Sequence, residues 1–92
     1  MIQVIHIAKV ASGKMPEARD WAKRMAACAG ATASEPLTGR TGRIVFSKTH
    51  DSMGAYEEFL NNLSPEYKAL QQENREKRLV QDIERYVHRA IE

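Results

Sequence analysis

The chain has 92 residues, the length of one thin-cored domain burying about 60–65% of the surface its unfolded form exposes. Lys and Arg total 14 against 12 Asp and Glu, and the resulting +2, mixed along the chain, is too weak a bias to point to nucleic acid or anionic membrane. No run approaches the ~18 apolar residues of a membrane span, and a single cysteine, Cys28, excludes an internal disulfide.

Ile2 to Val10 reads as a strand. Ile2, Val4, His6, Ala8 and Val10 share one face; Gln3, Ile5, Ile7 and Lys9 share the other. Both faces are largely apolar, so both should be covered. The same start, MIQVIHIAKV, lacks the basic region and small-residue cleavage site of a signal peptide, so a cytoplasmic protein is expected. Ser12-Gly13-Lys14 breaks the strand and Pro16 suits a first helical turn. Ala18, Trp21, Ala22, Met25, Ala26 and Ala29 recur at helical spacing, and Gly30 stops the helix.

Residues 31 to 38 carry Pro36, which cannot donate a ladder hydrogen bond, so a strand here belongs at an edge. Next comes Pro36-Leu37-Thr38-Gly39-Arg40-Thr41-Gly42-Arg43. A phosphate-binding loop would deliver a helix N-terminus, but this one delivers Ile44-Val45-Phe46, a strand. Gly39 and Gly42 are read as positive-φ residues of a hairpin loop, with Arg40 projecting into water. Arg43 to Thr49 alternates well: Ile44, Phe46 and Lys48 against Val45, Ser47 and Thr49. Asp51 is read as the cap of a second helix with the stripe Met53, Tyr56, Phe59, Leu60 and Leu63. Ser64-Pro65-Glu66 looks like a fresh helix start, anchored by Tyr67 and Leu70, before the polar stretch 71–77.

The tail, Leu79 to Ile91, fits either a helix (Leu79, Ile83, Val87, Ala90) or a two-faced strand. Topology arbitrates. With a last strand the order β-α-β-β-α-β gives an α+β, ferredoxin-like fold: a four-stranded antiparallel sheet with its helices on one face. The second and fourth strands then lie at the edges, which suits Pro36 on one and Glu84, Arg85, Arg89 and Glu92 on the other. Residues 1–92 form one such domain. Its first and third strands are apolar on both faces, so a monomer would expose the face away from the helices. A homodimer with sheets face to face, enclosing a cavity, resolves this.

The segments AKVASGKMPEARDWAKRM, TGRTGRIVFSKTHDSMGAYEEFL and SPEYKAL resemble the dimeric α/β-barrel superfamily, and most closely NIPSNAP-like proteins, with antibiotic-biosynthesis monooxygenases more distant. The matching features are a first strand ending in a glycine turn, a tryptophan-bearing helix, a Gly-rich entry to the third strand, and an x-E-x-F helix. The resemblance implies dimers whose sheets pack into a barrel with small-molecule pockets. Where NIPSNAP-like proteins often carry an arginine on the first strand, this chain has His6.

His6 leads the catalytic candidates. It sits mid-strand among apolar neighbours, where a neutral imidazole serves as a base near pH 7, and it is the expected occupant of the inter-sheet cavity; the alternative is a buried, hydrogen-bonded histidine. Trp21, Phe46, His50, Tyr67 and Arg43 are the ligand-binding candidates. Trp21 is otherwise plain core, as Tyr56 and Phe59 are by default, and Arg43, like Arg85 and Arg89, is otherwise solvent-exposed. No histidine pair has zinc-motif spacing, no metal or cofactor is expected, and Cys28 reads as an inert buried thiol.

Three functions compete: a protein binding a small apolar or aromatic ligand with no assignable substrate, a cofactor-independent monooxygenase acting on a phenolic or polyketide-like substrate, and a non-catalytic dimeric interaction module. An RNA-binding reading is weak, because Phe46 is the only aromatic on the two central strands.

Overall fold

The computed structural model describes residues 1–91. Seven elements follow in chain order: β1 (Ile2–Val10), α1 (Met15–Ala29), β2 (Thr32–Ser34), β3 (Arg43–His50), α2 (Met53–Asn61), α3 (Pro65–Lys77) and β4 (Val80–Arg89). The strands form one antiparallel sheet in the order β2-β3-β1-β4. This is the ferredoxin-like arrangement. The tail is a strand, as the topology argument requires; Glu92, read with it, lies outside the described residues.

The helix-facing side of the sheet is fixed by burial. Ile2, Val4, Ala8 and Val10 of β1 are buried, as are Ile44 and His50 of β3. Against them α1 packs Ala18, Trp21, Ala22, Met25 and Ala26. Gly30 closes α1 in the left-handed region at φ 67°, its N–H donating to the Ala26 carbonyl, a conformation glycine enters without a Cβ clash.

Two local expectations need correcting. Asp51 does not cap α2. Ser52 does, its Oγ accepting from the Ala55 N–H at 3.1 Å. Either oxygen-bearing side chain satisfies the chemistry, and the choice falls to the residue whose backbone is extended just before the first turn. Arg40 does not simply point into water. It makes a 3.2 Å ion pair with Glu84, tying the β2–β3 loop to β4. Gly39 (φ 74°) and Gly42 (φ 72°) do supply positive φ in that loop. Ser64 and Pro65 open α3 as read, Ser64 Oγ accepting from the Tyr67 N–H, and the polar stretch 71–77 continues that helix.

The core is in two pieces. One cluster joins Ala8 and Val10 to Trp21, Met25, Ile44, Leu70, Leu79 and Val80. The other joins Ile2 and Val4 to Tyr56, with Phe59 against it. On β1 the residue between Val4 and Ala8 on this face is His6. The opposite face of the sheet is covered by no helix; there Ile5, Ile7 and Val45 are half-buried and Tyr86 is 45% exposed.

Candidate functional site

Where the two core clusters part, a cavity of about 320 Å³ lies between the sheet and the helices. That size is within the range of small-ligand pockets, roughly 300–1,000 Å³. Three features leave the space. α1 presents only alanine at its end (Ala29), α2 is 9 residues long, and β1 places an imidazole where a larger apolar side chain would fill the layer.

His6 therefore faces a cavity, but not the one expected. It shares the helix-facing side with Val4 and Ala8, opposite Phe46 on β3 and Arg85 on β4, and its cavity lies within the chain rather than between two sheets. Alternation along β1 establishes which residues share a face; it does not say which face the helices take. His6 Nε2 is buried with no hydrogen-bond partner among the described residues. Burial, and then the charge of Arg85, push its pKa below the ordinary 6.5. The imidazole is thus neutral at pH 7, able to accept a proton or donate one hydrogen bond.

Trp21, Phe46, His50 and Tyr67 also line the cavity. Trp21 does so from a core position: its indole N–H donates to the Leu70 carbonyl at 2.8 Å, and its ring meets Phe46 edge-on at 5.8 Å. His50 packs 5.1 Å from Tyr56 and 5.5 Å from Phe59, ring to ring. Its pKa is lowered by burial and by Lys48, while Asp51 acts in the opposite direction. Burial raises the Tyr67 phenol, with smaller contributions from Tyr56 and Cys28. Arg43 is elsewhere. It stands opposite Lys9 on the other face, and its guanidinium donates to the Thr41 carbonyl at 2.8 Å. His88, opposite Gln3, is also on that face, and among the described residues no three His, Cys, Asp or Glu side chains are grouped to hold a metal.

One residue joins the site that sequence reasoning did not single out, Lys48, and two that it read as core or solvent-exposed, Tyr56 and Arg85, stand at or beside it. Lys48 lines the cavity with its ammonium donating to the Ala29 carbonyl at 2.6 Å and lying 3.7 Å from the centre of the Phe59 ring; burial lowers its pKa. Tyr56 lines it too, and Arg85 donates to the Tyr56 phenol oxygen at 3.1 Å. The available signal was Lys48 itself, a cation in phase with Ile44 and Phe46 on the apolar side of β3.

No family model matches the chain, and no curated protein matches it by sequence. Solved structures do match. A NIPSNAP domain protein from Burkholderia xenovorans superposes with a TM-score of 0.84, covering 99% of this chain and 95% of its own, at 15% identity. The fold is the one found in NIPSNAP proteins. A second such protein, from Agrobacterium tumefaciens, gives 0.82 over 99% of this chain and 86% of its own, at 16% identity. A protein from Deinococcus radiodurans provisionally assigned as an antibiotic biosynthesis monooxygenase gives 0.78 over 100% and 94%, also at 16%. At such identities the NIPSNAP-type likeness is one of fold, and it assigns no substrate. No helix among the described residues is long and apolar enough to cross a membrane.

Proposed function

We propose that this chain is a small-molecule-binding protein that takes an apolar or aromatic ligand into the cavity beneath its helices and works as a homodimer. The cavity carries the reading: it is mostly apolar, with a few polar groups converging on it, and one of them, His6 Nε2, is buried without a partner. The dimer is supported by the uncovered face of the sheet, where Ile5, Ile7, Val45 and Tyr86 would meet their counterparts in a second copy. The cavity is lined from one chain, so the proposed dimer would cover the open face of the sheet rather than build the site. A cytoplasmic location fits the lone Cys28.

The test is native mass spectrometry of the purified protein, followed by a thermal-shift screen of small aromatic compounds. A bound species, or a rise in Tm with a compound that also protects cavity residues from exchange, is expected. A clean spectrum and a flat screen would refute ligand binding and leave the interaction-module reading. A monomer by light scattering at micromolar concentration would refute the dimer alone.

The neutral, unpartnered His6 favours one second reading, a cofactor-independent monooxygenase. His6 would take the proton of a phenol or enol, and the substrate anion would itself reduce oxygen. Oxygen consumption with anthrone-like and quinol substrates that is lost in His6→Ala would support it; turnover indifferent to His6 would eliminate it.

A further inference from the structure

We infer that the cavity selects apolar monoanions, a carboxylate or phenolate on a hydrophobic skeleton, with the anionic oxygen held on the side built by Lys48 and Tyr56. This rests on the reading of the cavity as a ligand site and goes further, to the charge of the ligand.

The observation is an imbalance. Of the described residues lining the cavity, none is Asp or Glu, while Lys48 and Arg75 both line it and Arg85 stands against Tyr56. Arg19, Arg24 and Arg40 are paired with acids, Arg19 with Glu35, Arg24 with Glu73 and Asp20, Arg40 with Glu84. Among the described residues no carboxylate stands within ion-pair distance of Lys48, Arg75 or Arg85. Lys48 is the partly buried one of the three, Arg75 and Arg85 being exposed; a cation drawn partly out of water without a counter-charge is costly, and an anion arriving beside it removes that cost.

Hydrogen-bonding capacity agrees. The Lys48 ammonium has three N–H donors, and a single carbonyl, Ala29, accepts one of them. Tyr56 accepts at its oxygen from Arg85, which leaves its own proton to be donated. His6 in its neutral form adds one more donor or acceptor. The rest of the wall is Trp21, Phe46, Phe59, Met25 and Val4, which suits a hydrophobic skeleton and disfavours a strongly hydrated dianion such as a phosphate monoester.

Trp21 is the only tryptophan and lines the cavity, so its fluorescence reports occupancy. The test titrates three probes of one skeleton at pH 7.5: 2-naphthoate, 2-naphthamide and 2-naphthylmethylammonium. The naphthoate should bind about tenfold more tightly than the neutral amide, and the ammonium most weakly. Lys48→Met, which keeps the apolar stem, should erase about tenfold of naphthoate affinity and leave the amide unchanged. Equal affinity for all three probes, or preference for the ammonium, would overturn the charge selection while the ligand site stands. No response from any probe would overturn both. The comparison of probes on the unaltered protein decides the matter even if the variant folds poorly.

Discussion

Replacing His6 with leucine should stabilise this protein and, on the proposed reading of the cavity, weaken ligand binding there. The imidazole sits at the parting of the two core clusters, with Nε2 buried and unpaired among the described residues. A buried polar atom without a partner costs about 1–3 kcal/mol. The ring is only half-buried, so the lower part of that range applies, and leucine adds apolar contact with Val4, Ala8 and Phe46 on the same face. A gain of about 1–2 kcal/mol follows, or roughly 5–10 °C in Tm for a domain of this size. Differential scanning calorimetry at pH 7.5 measures it, with the naphthoate titration run on the same sample. If His6→Leu lowers Tm, the imidazole has a structural partner in solution, and the argument that it is held ready for a ligand fails.

Three further outcomes follow from the same geometry. His6 and His50 both have folded-state pKa values below the ordinary 6.5, so the unfolded chain binds more protons as pH falls through that value; their stabilisation is complete above about pH 6.5 and lost below their folded-state values, and Tm measured from pH 7.5 to 5 should fall less steeply in His6→Leu than in the parent. Gly30→Ala should cost about 1 kcal/mol by chemical denaturation, because φ 67° places a Cβ in the strained left-handed region, although the nearest atom it would meet is Lys48 Nζ at an ordinary 4.0 Å; no loss would mean that α1 ends differently in solution. Trp21→Phe should cost about 1–3 kcal/mol, since it removes the buried indole bond to the Leu70 carbonyl together with part of a core ring, and an unchanged denaturation midpoint would show both to be dispensable.

The tail shows why part of the fold was hard to read. Leu79, Ile83 and Val87 recur every four residues, as in a helix, yet β4 is a strand. The register of β4 against β1 slips between Ile7 and Lys9: Ile7 faces Glu84, but Lys9 faces Gln81. One extra residue is accommodated there, beside Asp82 at φ 51°. The bulge sets Val80 and Ile83 on the same side of the sheet, and a step of three in place of two imitates helical spacing. Topology recovered the strand because only a fourth strand completes the sheet. β1, β3 and α1 needed no such help, since their periods are unbroken and Gly30 marks a stop.

For the site, the residue types were legible and the side of the sheet was not. His6, Trp21, Phe46, His50 and Tyr67 do meet around one cavity. Arg43 does not, because an even offset along β3 from Val45 puts it on the open face. Lys48 was passed over because a lysine on a strand is ordinarily a solvent residue; only the neighbouring Phe59 ring and the Ala29 carbonyl, both distant in sequence, make it a cavity residue.

On the proposed reading of the cavity as a ligand site, a core divided at His6 would tie the fate of the chain to its ligand. A molecule seated in the gap touches both clusters, so it acts as the missing wedge of one hydrophobic interior. Present at a hundred times its dissociation constant, it would add about 2.7 kcal/mol to folding. Changes of that size alter how much of a marginally stable protein survives proteolysis in a cell, several-fold in steady-state amount. Such a chain would register the supply of its ligand by its own persistence.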